Sequence, residues 1–184
     1  MSYADTHRST VEDCQRGSRA AQFELYRLYS RAMYNTCLRM LRSEHDAEDV
    51  LQRAFLDVFR HIGQFGFQSS IGAWIKRIVV NSCINHLRKK RLFTEELTER
   101  HQVPLTEEQD DGGSYDVAGI QEALLQLPDG YRAVFTLYLI EGYDHREIAE
   151  ILTISEATSK SQYSRAKKRL RELLDRRTGK LLTH

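Results

Sequence analysis

The chain has 184 residues, of which 41% are apolar, 29% charged and only 2 are proline; so many charges and so few helix breakers favour amphipathic helices, and the expected class is all-α. Three cysteines, Cys14, Cys37 and Cys83, with no CxxC pair argue against a disulfide framework or a zinc knuckle, and fit a reducing compartment. No stretch approaches the roughly 18 apolar residues of a membrane span, and the first residues carry no apolar run suited to a signal peptide, so the expectation is a cytoplasmic protein without membrane insertion, metal or cofactor.

A net charge of +1 hides blocks of opposite sign. Between Trp74 and Leu92 the basic residues Lys76, Arg77, Arg88, Lys89, Lys90 and Arg91 meet no acid. Between Thr94 and Asp116 the acids Glu95, Glu96, Glu99, Glu107, Glu108, Asp110, Asp111 and Asp116 face only Arg100. From Lys160 the chain turns basic again, through Arg165, Lys167, Lys168, Arg169 and Arg171. The acidic stretch lacks apolar periodicity and carries the turn-forming DDGGS, which reads as a self-repelling linker. The expected organisation is two small helical domains, 1–92 and 118–184, joined by a flexible acidic linker over 93–117.

In the first domain, Phe23, Leu25, Tyr26, Leu28, Tyr29, Met33, Tyr34, Cys37, Leu38 and Leu41 recur at helical spacing, which predicts one long helix with a wide apolar face. A second helix starts at Ser43 as N-cap, with Glu44, Asp46, Glu48 and Asp49 in its first turns, where the helix dipole favours acids. Its apolar residues Val50, Leu51, Phe55, Val58, Phe59 and Ile62 run to Gly63, a candidate C-cap. A third helix covers Ile71 to Leu92, with Trp74, Ile75, Ile78, Val79, Ile84 and Leu87 inward and its basic residues outward. Cys83 and His86 have metal-like spacing there but no further ligands nearby, so a core thiol and a surface histidine are expected.

The second domain reads as four helices: Val117 to Leu127 ending at Pro128, Gly130 to Glu141 closed by Gly142, His145 to Leu152, and Glu156 to about Arg176. In the last pair, HREIAEIL turns Ile148, Ala149 and Leu152 to one side, TIS makes a short turn, and a longer basic helix opens at Ser155. This is the helix-turn-helix arrangement, whose second helix enters the major groove. With Tyr163, Ala166, Leu170 and Leu173 inward, Lys160, Ser161, Ser164, Arg165 and Lys168 form the opposite face, a mixture of base-reading and phosphate-binding side chains.

Three stretches in this order resemble the extracytoplasmic-function group of bacterial sigma factors: DAEDVLQRAFLDVFRHIGQF, WIKRIVVNSCINHLRKKR, and LPDGYRAVFTLYLIEGYDHREIAEILTIS running into EATSKSQYSRAKKRLREL. The resemblance implies core RNA polymerase as partner, through the clamp helices of its largest subunit and its beta flap, duplex and single-stranded promoter DNA, and an anti-sigma protein as a further candidate. Asp49, Gln52, Arg53 and Leu56 are then expected at the clamp, as a polar rim around an apolar centre. The minus-ten element falls to Phe65, Gln68, Ser69, Trp74, Lys76, Arg77, Asn81, Asn85, Arg88, Lys89, Lys90 and Arg91, the cations holding phosphates and the loop from Phe65 to Ser70 accepting an extruded base. For Trp74, core packing is the competing reading. The minus-35 element falls to Thr158, Lys160, Ser161, Gln162, Ser164, Arg165 and Lys168.

Three departures from the family pattern stand out: Asn85 in place of Asp, Ser159 in place of a buried Val, and Gln162 in place of Arg. An unpaired hydroxyl at a half-buried Ser159 would cost about 1 kcal/mol. Two other functions compete. A stand-alone helix-turn-helix regulator would footprint duplex DNA without polymerase and leaves the second basic patch idle. An enzyme lacks its inventory, since no phosphate loop, nucleophile motif or His/Cys constellation is present, and none is expected.

Overall fold

The computed structural model describes residues 7–89 and 116–177. Lys90, Arg91 and the acidic stretch up to Tyr115, and with them most of the expected linker, lie outside these residues. Every regular element among the described residues is helical. The chain divides into two compact units, residues 1–86 and 87–184.

Unit 1 begins with α1 (Arg8–Gln15), which the sequence pattern did not reveal because only Val11 and Cys14 point inward. The long α2 (Arg19–Leu41) starts where the Ser18 hydroxyl accepts the Ala21 N–H, and ends on Arg42 in the left-handed region at φ 65°. In α3 (Glu44–His61), Ser43 Oγ accepts the Asp46 N–H at 3.1 Å, with Glu44 and Asp46 in the first turn and Arg60 and His61 in the last. Such a cap contributes about 1 kcal/mol. The helix does not close on a left-handed glycine: the chain tightens into a 3-10 turn over Ile62–Gln64, with Gly63 inside it. α4 (Ile71–Arg88) buries Ile75, Val79, Val80, Cys83 and Ile84, as α2 buries Leu25, Cys37 and Met40 and α3 buries Ala47, Ala54 and Val58. Gly72 lets α4 approach α2 closely: a Cβ there would lie 2.9 Å from the Tyr29 ring. The apolar face of α2 is narrower than its periodicity suggests, since Phe23 is 69% exposed and Tyr26 and Leu28 are also exposed.

Unit 2 consists of α5 (Val117–Leu125), α6 (Asp129–Phe135), a π-helical turn over Thr136–Ile140, α7 (His145–Leu152) and α8 (Glu156–Arg177). Its core gathers Ala123, Leu124 and Leu127, Phe135, and Ala166, Leu170 and Leu174. The single helix expected over 130–141 is thus α-helical only to Phe135, after which the spacing widens, with Glu141 N–H donating to Thr136 C=O. Gly142 at φ 80° ends it, as the pattern indicated. In α7, Asp144 Oδ1 accepts the Glu147 N–H at 2.8 Å while Glu147 Oε2 accepts the Asp144 N–H at 2.9 Å, a reciprocal cap.

Arg132 is fully buried at the junction of α5 and α6, donating to Leu127 C=O at 2.7 Å and pairing with Asp129. Removing one member of a buried pair typically costs about 3 to 5 kcal/mol, and since the Asp129 side chain keeps 25% exposure the lower figure is expected for Arg132→Ala. In urea titration of the full chain, with unit 2 helicity as the signal, the midpoint should fall by roughly 1 to 3 M. An unchanged midpoint would mean that Arg132 contributes nothing to the fold.

Candidate nucleic-acid and polymerase interface

On α3 the buried stripe is Ala47, Val50, Leu51, Ala54, Phe55 and Val58. At about 100° per residue, Asp49, Gln52, Arg53 and Leu56 fall together on the opposite face. Gln52 and Arg53 are exposed, Asp49 is half-exposed, and Leu56 is 63% exposed among them. Arg53 Nη2 reaches Asp49 Oδ2 at 3.4 Å, and its Nε donates to Asp49 C=O at 3.2 Å. Beside this face, α2 and α3 enclose a groove of about 370 Å³ lined by Tyr26, Ser30, Arg31, Tyr34, Glu48, Leu51 and Gln52. The sequence reading assigned both tyrosines to the inward face of α2 and so missed it.

The loop after α3 is held by α1, since Gln15 Nε2 donates to Ile62 C=O at 3.0 Å and to Phe65 C=O at 3.1 Å. Phe65, expected to stack on DNA, is instead 6% exposed. Its ring packs against Phe67 at 5.0 Å and Trp74 at 5.4 Å, which also places the half-buried Trp74 in an aromatic cluster. Covered faces cannot stack a base, so Phe65 supports the loop rather than lining its surface. The aromatic that sequence reasoning overlooked is Phe67, half-buried, in the left-handed region at φ 57°, with the Arg8 guanidinium 4.6 Å from its ring centroid. A bulky residue with positive φ carries strain and points to a constrained loop. Gln68 and Ser69 are exposed beyond it.

Along α4 the exposed residues Arg77, Asn81, Asn85, Arg88 and Lys89 recur every three or four positions on one face, with Lys76 half-buried at its margin. Cys83 lies in the core with its thiol 3.6 Å from Cys37 Sγ. His86 is not free on the surface; its Nε2 lies 3.4 Å from Asp46 Oδ2 across α3.

In unit 2, α7 ends on Thr153 at φ 58°, and α8 opens with Ser155 Oγ accepting the Thr158 N–H at 3.0 Å. The inward stripe of α8 is Ser159, Gln162, Ala166, Leu170 and Leu174. Gln162, expected to contact DNA, is therefore buried at 1% exposure, and the side of α8 it occupies is turned to the core. Ser161, Ser164 and Lys168 lie opposite, flanked by Lys160 and Arg165. Lys160 pairs with Glu156 at 2.6 Å, Ser161 Oγ donates to Thr158 C=O at 2.9 Å, and the Thr158 hydroxyl is engaged with Ser155 Oγ at 2.8 Å.

Exposed polar faces on α3 and α4, followed by a helix-turn-helix in α7 and α8, match the family comparisons in order. Residues 25–93 match the model of Sigma-70 region 2, and residues 118–170 that of Sigma-70 region 4. The ECF RNA polymerase sigma factor SigM of Mycobacterium tuberculosis is 32% identical over 160 residues, covering 86% of this chain and 79% of that protein. The chain belongs to the ECF RNA polymerase sigma factors. SigW of Bacillus subtilis, a second such factor, is 31% identical over 176 residues, covering 89% of this chain and 94% of its own. The fold is also that of CnrH, solved in complex with the cytosolic domain of CnrY, at a TM-score of 0.57 and 24% identity over 93% of this chain and 98% of that one. RpoE, solved with the anti-sigma factor NepR from Bartonella quintana, gives a TM-score of 0.56 at 24% identity, over 83% of this chain and 95% of that one.

As a sigma factor the chain is a transcription initiation factor that directs RNA polymerase to promoter DNA. No helix of the sigma factor, among the described residues, is long and apolar enough to cross a membrane. The departure at Ser159 is resolved by a partner: its Oγ lies 2.9 Å from His145 Nδ1, so the buried hydroxyl is satisfied. Burial, and after it the neighbouring Lys160, lowers the His145 pKa below the ordinary imidazole value.

Proposed function

We propose that the two units divide promoter recognition, unit 1 docking on polymerase and opening the minus-ten element and unit 2 reading the minus-35 element, with domains at 1–92 and 118–184 and the acidic stretch as their linker. The observation that carries this reading is the set of outward faces: an apolar Leu56 ringed by Asp49, Gln52 and Arg53, a basic and amide stripe along α4, and a serine and cation face on α8. The first has the make-up of a docking surface with an apolar centre and polar rim. The second suits phosphates and unstacked bases, and the third suits base edges in a major groove.

Leu56 and its neighbours bind the clamp helices of the largest polymerase subunit. In unit 2 the π-helical turn exposes Tyr138, Leu139 and Ile140 side by side, Leu139 by 59%. Such a patch marks a protein contact, which here is the beta flap. The factor acts in the cytoplasm, without metal, cofactor or enzymatic activity of its own. An anti-sigma protein is a further partner, in line with the complexes in which RpoE and CnrH were solved.

Reconstitution with core RNA polymerase tests the whole. Run-off transcription should start only when the chain is added, and the promoter footprint should need polymerase, because each basic patch alone is small and strongly salt-dependent. A footprint by the free chain as tight as that of the holoenzyme would return the stand-alone regulator reading.

A further inference from the structure

Three elements of unit 2 converge on one imidazole. His145 is the first residue of α7, and its ring lies parallel to Tyr138 of the π-helical turn, with centroids 4.4 Å apart and planes 12° apart. It meets Tyr163 of α8 edge-on at 5.7 Å, and Tyr138 and Tyr163 themselves approach to 4.5 Å. Its Nδ1 faces Ser159 Oγ at 2.9 Å, and Ser159 is wholly buried on the inward stripe of α8. This hydrogen bond ties the two helices of the helix-turn-helix together beside rings and buried aliphatic groups such as Ile148 and Leu152.

We propose that His145 is a positioning residue: through its hydrogen bond to Ser159 and its stack on Tyr138 it sets the rotation of the recognition helix α8, and so which minus-35 bases that helix discriminates. The inference rests on the minus-35 reading of unit 2 and names what tunes it.

Apolar side chains tolerate small slides, whereas a buried hydrogen bond has a narrow range of distance. Turning α8 by about 15° would move Ser159 Oγ by roughly 1 Å, past hydrogen-bond reach, and would move outward side-chain tips by more than about 1 Å. Displacements of that size break bidentate contacts to base edges. Ser159 also sits between Thr158 and Lys160 and two residues before Ser161, so the constraint acts at the turn of α8 that carries the reading residues. The charged groups around the imidazole are Lys160 and Glu156 from α8 and Asp144 from the start of α7. Burial, and after it Lys160, lowers the imidazole pKa against the pull of the two acids and so favours the neutral ring; with the hydrogen on Nε2, Nδ1 accepts the Ser159 O–H.

The test compares holoenzymes made with the wild-type chain, Ser159→Ala and His145→Phe, the latter keeping a ring against Tyr138 but no acceptor. Run-off transcription is measured on a promoter and on templates with single base changes in its minus-35 element. The preference for the unchanged element should fall about fivefold in both variants, the worth of one neutral hydrogen bond, with holoenzyme yield as in wild type. In the 15N-labelled full chain, Ser159→Ala should move the His145 Nδ1 resonance. A preference retained in either variant would overturn the inference, as would an equal loss on every template or an Nδ1 resonance indifferent to Ser159→Ala. Wild-type holoenzyme without any minus-35 preference would overturn the reading of α8 itself and this inference with it, whereas a wild-type preference shared by the variants defeats the inference alone.

Discussion

Asp49→Lys combined with Gln52→Ala is expected to abolish co-purification with core RNA polymerase while leaving the helical content of the free chain unchanged. In the free chain the Asp49 carboxylate meets exposed partners among the described residues, Arg53 at 3.4 Å and His45 at 4.0 Å. Exposed pairs of this kind contribute about 0 to 1 kcal/mol, and the like-charge cost of a lysine beside Arg53 is a few tenths. Within an interface the balance differs, because a polar group whose partner is lost stays desolvated. Truncating one side of such a contact costs about 2 to 5 kcal/mol, roughly thirtyfold to several thousandfold in affinity. Leu56→Ala offers a separate probe, since a side chain 63% exposed adds little to the fold but would seat at the centre of the interface. Co-purification of the double variant at wild-type yield, with circular dichroism unchanged, would show that the docking face is elsewhere on unit 1.

Arg165→Ala should lower transcription from promoters that depend on the minus-35 element by roughly ten- to a hundredfold, the range of one bidentate arginine contact to guanine. Arg165 flanks Ser161, Ser164 and Lys168 on the outward side of α8, away from the stripe through Gln162 and Ala166. Removing the charges of Arg77 and Lys89, exposed on α4, should act at a different step. These cations would hold phosphates near the minus-ten element, so their loss should slow strand opening more than initial recognition. Both variants are assayed on an ordinary promoter and on one with a pre-opened minus-ten bubble. Pre-opening should restore the Arg77/Lys89 variant and leave Arg165→Ala defective. Equal rescue of both would show that the two units do not divide the work in this way.

Several features of this protein are written locally enough to be read without a fold. The starts of α3 and α8 follow from Ser43 and Ser155, each accepting an N–H three residues on. The end of the segment before α7 follows from Gly142, whose positive φ costs glycine nothing. The order of the three family stretches, the all-helical class and the short turn between α7 and α8 were legible for the same reason: caps, breakers and spacing act over one or two helical turns. The exposed side of α3 was legible too, since its apolar stripe is unbroken.

Tertiary structure decided what depends on partners distant in sequence. The phase of α8 is misread when Gln162 is taken as outward, because polar residues occupy two inward positions. One of them, Ser159, is satisfied by His145, 14 positions earlier. Phe65 reads as a loop aromatic free to stack, and becomes a buried support because Trp74 covers it and Gln15, 50 positions earlier, holds its carbonyl. The wide apolar stripe of α2 leaves Phe23, Tyr26 and Leu28 exposed because only part of it meets another helix within unit 1. Arg132 is fully buried although it is a cation, since Leu127 and Asp129 supply acceptors for it across a helix junction. Periodicity records which residues tend to leave water. Which of them do, and which polar groups follow them inside, depends on where a complementary donor or acceptor arrives, and only the packed chain brings that about.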